Sequence, residues 1–284
     1  MQNYNLKFKI IFFGSSAYVI PVIKTLKENF NLILVVTTEK NDGVVPIFCA
    51  KNKIECLSVS TLSEVNLKSK ILNLKSQVAV VADFGLIIPK GILNSFPKGI
   101  INIHPSLLPK YRGPSPVQTA ILNGEKITGV SIIKIDEAVD HGPILGQVKD
   151  SILDTDTAET LYERLFEKGT HLLLKVLKSY HDGDLEPFAQ DHSKATFTQP
   201  LTRSDGYINV SKFEIRNLKF ELERKIRAYF PWPGVWFKTK LNGVEKIIKL
   251  LPHQKLQVEG KKPMSHKDFL NGYPEAKELL RMIS

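Results

Sequence analysis

The chain has 284 residues, of which 39 are Lys or Arg and 29 are Asp or Glu, for a net charge of +10 at pH 7. Hydrophobic residues make up 43% and charged residues 24%, with a mean hydropathy of −0.09, which excludes disordered and fibrous classes and leaves one or two globular domains with a substantial core. Residues 1–200 hold 22 basic and 20 acidic side chains, whereas 201–284 hold 17 and 9, so the C-terminal third suits a polyanionic partner or carries a solvated basic face.

Lys7 and Lys9 precede the apolar run IIFFGSSAYVIPVI and imitate a signal peptide, but Gly14-Ser15-Ser16 splits the run. A strand, a turn and a helix fit better, and no stretch reaches the roughly 18 apolar residues of a membrane span. Parallel strands are predicted at 9–14, 31–38, 77–83 and 99–104, with the helical patterns VIPVIKTLKENF and TLSEVNLKSKILNL between them. That alternation predicts a Rossmann-like, mostly parallel sheet with helices on both faces, and ligands at the carboxyl ends of the strands. Cys49 and Cys56 are too few for a disulfide scaffold and lack nearby histidines. Reduced thiols, no metal, no membrane and a cytoplasmic location are expected.

A short helix in SPVQTAILNG follows, then the strands TGVSIIKID and PILGQVKDSI. The helix TAETLYERLFEKGTHLLLKVLKSY, capped by Asp156 or Thr157, closes a first domain at 1–183. The polar stretch 184–206 reads as a linker or as a segment wrapped on the first domain. A small basic domain, rich in β-structure, is predicted at 207–284. It holds the helix SKFEIRNLKFELERKIRAY, the aromatic stretch FPWPGVWF and two strands around Asn242-Gly243.

The segment GIINIHPSLLPKYRGPSPVQTAI carries the most chemistry. Asn102 and His104 share a face at the end of a strand stopped by Pro105, where an amide could serve a developing oxyanion and an imidazole could exchange protons. The same residues also suit a strand end that satisfies loop backbone. Asp140, in a loop before Gly142, could orient the imidazole or could be a turn aspartate. Arg112 could hold a carboxylate, a phosphate or a neighbouring loop. Gly14-Ser15-Ser16 lacks the remaining glycines of a dinucleotide fingerprint.

The run Asn102-x-His104-Pro-Ser106-Leu107-Leu108-Pro109-x-Tyr111-Arg112-Gly113, with Gly129-Val-Ser-Ile and Val139-Asp140-x-Gly142, resembles the signature of the folate-dependent formyltransferases. Within that family it is most similar to the branch acting on methionyl-tRNA, as VVADFGLIIPKGIL, IRAYFPWPGVW and GKKPMS also suggest. The resemblance covers nearly the whole chain. It implies the formyltransferase fold with a reduced, OB-like C-terminal domain, 10-formyltetrahydrofolate as formyl donor with tetrahydrofolate as product, and methionyl initiator tRNA as partner of a monomeric enzyme. It further implies that Asn102, His104 and Asp140 are catalytic, and that Ser106, Leu107, Leu108 and Pro109 bind the folate. Phe84, Gly85, Leu86, Ile88 and Val139 would line the same pocket, while Arg112, Lys225, Arg227, Lys261 and Lys262 would meet the RNA. The family's long basic loop after the second strand is shortened here to TTEKNDGVVPIFCAKNK, with Glu39 and Asp42 among its charges, and 237–262 is abbreviated. These departures raise an alternative acceptor, a nucleotide-linked amino sugar. A folate sensor without catalysis and a formate-releasing hydrolase are further alternatives.

Overall fold

A computed structural model describes residues 6–39, 43–62, 65–210 and 218–283. In β1 (Leu6–Phe13) the consecutive residues Ile10, Ile11, Phe12 and Phe13 are all fully buried, as expected of a strand covered on both faces. After Gly14 the chain enters α1 (Ile20–Asn29), with Pro21 in its first turn, where the missing N–H removes no helical hydrogen bond. β2 (Phe30–Thr38), α2 (Val44–Lys51), β3 (Cys56–Val59), α3 (Val65–Leu74), β4 (Val78–Val81), α4 (Lys90–Leu93) and β5 (Ile100–His104) follow. Beyond them lie α5 (Pro116–Leu122), β6 (Ile127–Lys134), β7 (Ile144–Ser151) and α6 (Ala158–Asp182).

The seven strands run in the order β3-β2-β1-β4-β5-β6-β7. β1 to β5 are parallel, and β6 lies antiparallel to β5. The chain proceeds from β1 to one edge through β2 and β3, then crosses back to β4, so the winding reverses between β1 and β4. Such a reversal opens a crevice at the strands' carboxyl ends, and β5 ends beside it. The core on one face joins Ile11, Phe13, Leu34, Val36, Ile71, Val81, Phe84 and Phe96. Phe13 meets Phe84 edge-on, with centroids 5.4 Å apart and planes at 72°, a favoured aromatic geometry.

Three elements here, α2, β3 and α4, have no counterpart in the sequence prediction. α2 is built from VVPIFCAK, whose β-branched residues and Pro46 disguise its helical character, and β3 is only four residues long. The long helix α6 starts after Thr157. The Thr157 Oγ1 accepts from the Thr160 amide at 3.2 Å, and the Thr160 Oγ1 accepts from the Thr157 amide at 3.1 Å. Thr157→Ala is expected to cost about 1 kcal/mol, the usual cost of losing a cap, read as a lower urea midpoint at unchanged slope.

The chain divides into two compact units, one of Met1–Pro114, Thr128–Asp150 and Tyr162–Phe197, the other of Ser115–Ile127, Ser151–Leu161 and Thr198–Ser284. This partition differs from the contiguous one at 1–183, 184–206 and 207–284, because α5 packs on α7 (Leu218–Ala228) within the second unit. In the first unit, the stretch after α6 is wrapped rather than free, forming bridges between Ile144 and Phe188 and between Arg112 and Phe197.

The second unit also holds β8 (Val235–Leu241), β9 (Val244–Leu251), β10 (Lys255–Val258) and β11 (Met264–Ser265) in one sheet, ordered β11-β10-β9-β8. α8 (His266–Gly272) and α9 (Lys277–Ile283) end the described chain. The Asn242-Gly243 turn has φ of 51° and 78°, the left-handed pair that a tight two-residue hairpin demands. Val235, Phe237, Ile248, Leu250, Leu256 and Val258 are buried on one face. The register puts Trp236, Lys238, Lys240, Lys249 and Lys255 on the other. Residues 211–217 of the predicted helix, and Asp42 of the shortened loop, lie outside the described residues. No helix among the described residues is long and apolar enough to cross a membrane.

Candidate active site

β5 pairs with β4 on one side and β6 on the other, Asn102 lying opposite Val81 and Ile133, and His104 opposite Ser131. Two-residue alternation therefore presents Asn102 and His104 side by side where the strand stops at Pro105. His104 is 4% exposed. Its Nε2 lies 2.9 Å from the Tyr111 carbonyl oxygen, which can only accept, so Nε2 carries the proton of that bond. Nδ1 faces the Asp140 Oδ2 at 3.4 Å.

Asp140 sits in the loop between β6 and β7 with a φ of 48°. Its Oδ1 accepts from the Asn102 Nδ2 at 3.2 Å and its Oδ2 from the Gly113 amide at 2.8 Å. The carboxylate therefore orients the Asn102 amide, whose nitrogen must face an acceptor-only group. Two residues on, the backbone at Gly142 passes so close to Lys134 that a Cβ would lie 1.9 Å from the Lys134 carbonyl oxygen. Asn102, His104 and Asp140 thus converge in one polar cluster at the end of β5.

The loop 105–113 is shaped by its own network. The Ser106 Oγ donates to the Lys110 carbonyl at 2.7 Å, the Ser131 Oγ donates to the Ser106 carbonyl at 2.6 Å, and the Leu108 amide donates to the Ser131 Oγ at 3.0 Å. The Gln147 Nε2 donates to the Leu108 carbonyl at 2.9 Å. Ser106 is 1% exposed, and Leu108 packs with Ile133 and Ile144. These two side chains are engaged in the packing of the loop itself, whereas Leu107 and Pro109 remain partly exposed.

Phe84, expected in the ligand pocket, belongs to the core, and Leu86 and Ile88 pack partly against it. Ile87, by contrast, is 88% exposed, and Val139 is 58% exposed. Gly85 has a φ of 80° and open space where a Cβ would be. Lys90 and Glu137 join the two loops by an ion pair of 2.7 Å. Exposed apolar side chains on two loops, with an open backbone at Gly85, leave an apolar surface that a flat ring could cover.

Arg112, expected to meet RNA, is 3% exposed. Its Nε and Nη2 donate to the Gln190 Oε1 at 3.2 and 2.7 Å, and its Nη2 to the His192 Nδ1 at 2.8 Å. The planar fork serves a neighbouring loop, one of the roles open to it in the sequence. Arg227 is 12% exposed, pairs with Glu223 and donates to the Asp156 carbonyl at 3.0 Å. Lys225 lies over the Tyr229 ring at 5.6 Å, and burial lowers its pKa. Lys261 and Lys262 are exposed. Gln190, Tyr111 and Gly113 escaped the sequence reading, two of them because they act through backbone atoms. Among the described residues no group of three or more His, Cys, Asp or Glu could hold a metal ion.

The polar cluster lies at the carboxyl end of a central strand in a seven-stranded doubly wound sheet. The formyl transferase family matches residues 9–177, and the chain belongs to that family. Its relatives include the methionyl-tRNA formyltransferase of Chloroflexus aurantiacus, 37% identical over 80% of this chain and 75% of that protein. The methionyl-tRNA formyltransferase of Thermodesulfovibrio yellowstonii is 33% identical over 93% of this chain and 95% of that one. Among solved structures, a sugar 3N-formyl transferase determined with dTDP and 5-N-formyl-THF is 26% identical over 85% of this chain and 86% of that one, with a TM-score of 0.62.

Proposed function

We propose that the chain transfers the formyl group of 10-formyltetrahydrofolate to the free α-amine of methionyl initiator tRNA, with Asn102, His104 and Asp140 as the catalytic residues. The observation that carries this reading is the Asn102–His104–Asp140 cluster, in a chain whose curated relatives are methionyl-tRNA formyltransferases over 75–95% of their length. The amine nitrogen bonds to the formyl carbon, and the carbonyl electron pair moves onto oxygen. Collapse of the tetrahedral adduct expels the folate nitrogen, which takes the proton that the amine loses.

One N–H of Asn102 is held by Asp140, and its second N–H is the donor for the oxyanion. At His104 the bond to Tyr111 is short, whereas the 3.4 Å contact to Asp140 is longer than an ordinary N–H···O bond. With Nε2 engaged by Tyr111, Nδ1 is the ring nitrogen that can take the amine's proton, directly or through a water, and pass it to the folate nitrogen. The folate ring would lie against Leu86, Ile87 and Val139, with Leu107 and Pro109 bordering it.

The RNA is assigned to the second unit, which carries exposed Lys261 and Lys262 and a lysine-bearing face of the four-stranded sheet. The test is formyl transfer from 10-formyltetrahydrofolate, with methionyl initiator tRNA and a nucleotide-linked amino sugar offered as rival acceptors and His104→Ala as the blank. Transfer to the tRNA is expected. Transfer to the sugar alone would favour the second reading, which the likeness to the sugar 3N-formyl transferase supports. Reversing Lys261 and Lys262 to Glu is expected to weaken tRNA binding and to lower the slope of log K against log salt by roughly 1–2. An unchanged slope would remove these lysines from the interface.

A further inference from the structure

We infer that Gln190 is a positioning residue for the transfer reaction, acting through Asp140. Its Nε2 donates to two carbonyl oxygens of the same loop, Asp140 at 2.9 Å and Gly142 at 2.7 Å. Its Oε1 accepts from the Nε and Nη2 of Arg112. Gln190 is 5% exposed and Arg112 3%, so these bonds form away from water, where an unmet donor or acceptor is costly.

The orientation of the amide is unambiguous. A guanidinium can only donate and a backbone carbonyl can only accept, so Oε1 must face Arg112 and Nε2 must face the loop. A glutamine meets both demands at once. Glutamate would still pair with Arg112 but would turn an oxygen towards two carbonyl oxygens, and asparagine is one methylene short of the loop.

The loop needs the clamp because Asp140 holds a φ of 48°, a left-handed conformation that disfavours a residue with a Cβ. Pinning the carbonyls of Asp140 and Gly142 stabilises the backbone on either side of that residue. The carboxylate then stays within reach of Asn102, Gly113 and His104. Arg112 fixes the clamp from behind and is itself next to Gly113, whose amide donates to the carboxylate. Both ends of the Arg112–Gln190 pair therefore converge on Asp140.

This inference rests on the proposed role of Asp140, so its test includes a readout independent of turnover. The Gly113 amide proton reports where the carboxylate lies. In Gln190→Glu its exchange with solvent is expected to be at least about tenfold faster than in the wild type at a similar melting temperature. The same variant should lose at least about thirtyfold in kcat while the KM of each substrate moves by less than about threefold, the pattern of a displaced reacting group. In an Asp140→Asn background, Gln190→Glu should cause no further loss, because residues acting through one another are not additive. Gln190→Asn, neutral and shorter, should repeat the signature.

Unchanged Gly113 exchange, or kcat losses that multiply in the double variant, would overturn the inference. So would failure of both Gln190 variants to fold, which would make the residue a support of the fold and not of Asp140. If the wild type transferred formyl to neither acceptor, the functional reading would fall and Gly113 exchange alone would judge Gln190.

Discussion

His104→Ala is expected to lower kcat by about 10² to 10⁴, the combined scale of losing a general acid–base group and a donor to a developing oxyanion. His104→Gln separates the two ring nitrogens. A glutamine can place its Nε2 where the imidazole Nε2 stood and restore the bond to the Tyr111 carbonyl, but it offers no nitrogen able to take up a proton on the edge facing Asp140. It should therefore recover most of any lost thermal stability while remaining as slow as the alanine variant. Recovery of activity in His104→Gln would show that the ring positions the loop at residue 111 and does not move the proton. Near-normal turnover in His104→Ala would remove the imidazole from the reaction altogether.

The second large effect is expected at Gly142→Ala. A Cβ there would stand 1.9 Å from the Lys134 carbonyl oxygen and 3.3 Å from the Asp136 amide nitrogen. Both are main-chain atoms that cannot swing aside. The Lys134 amide is also bonded to the Pro143 carbonyl at 3.0 Å, so relief requires the two strands to separate at the base of the Asp140 loop. Overpacking against backbone should destabilise by roughly 3 kcal/mol, the upper part of the usual range, seen as a lower urea midpoint. Turnover should fall at least about tenfold in the fraction that stays folded, since a displacement near 1 Å is enough for losses of that order. A variant with wild-type stability and turnover would mean that the strands give way without moving Asp140.

The parts of the site that were legible in the sequence are those where a side chain's role follows from its immediate neighbours. Asn102 and His104 share a face because β5 alternates, and Pro105 marks where the strand ends. The sheet was legible for the same reason, as apolar β-branched runs long enough to identify. β3, an edge strand of sequence CLSV in which only Val59 is fully buried, offers no such run.

What escaped depends on partners distant in sequence or on atoms common to every residue. Gln190 reaches Asp140 across 50 positions, and the bonds from His104 to Tyr111 and from Gly113 to Asp140 use backbone groups. The burial of Arg112 was not legible because a positive charge in a sequence does not reveal it, and neither Gln190 nor His192 is a carboxylate that would have pointed to the pairing. That Phe84 is buried and Ile87 exposed was not legible, because an apolar run does not say which member turns inward once the strand has ended.

The wrapped segment also governs when the site comes into being during synthesis. A ribosome that has just added residue 183 has made Asn102, His104, Asp140 and every strand of the seven-stranded sheet, but not Gln190 or the residues that bridge to Ile144 and Arg112. The nascent chain at that point holds all three proposed reacting side chains without the bolt on Asp140. Completion waits for the stretch from Phe188 to Phe197 to emerge from the exit tunnel and close over the loop. A fragment cut at 183 would therefore be a scaffold with its chemistry unlatched.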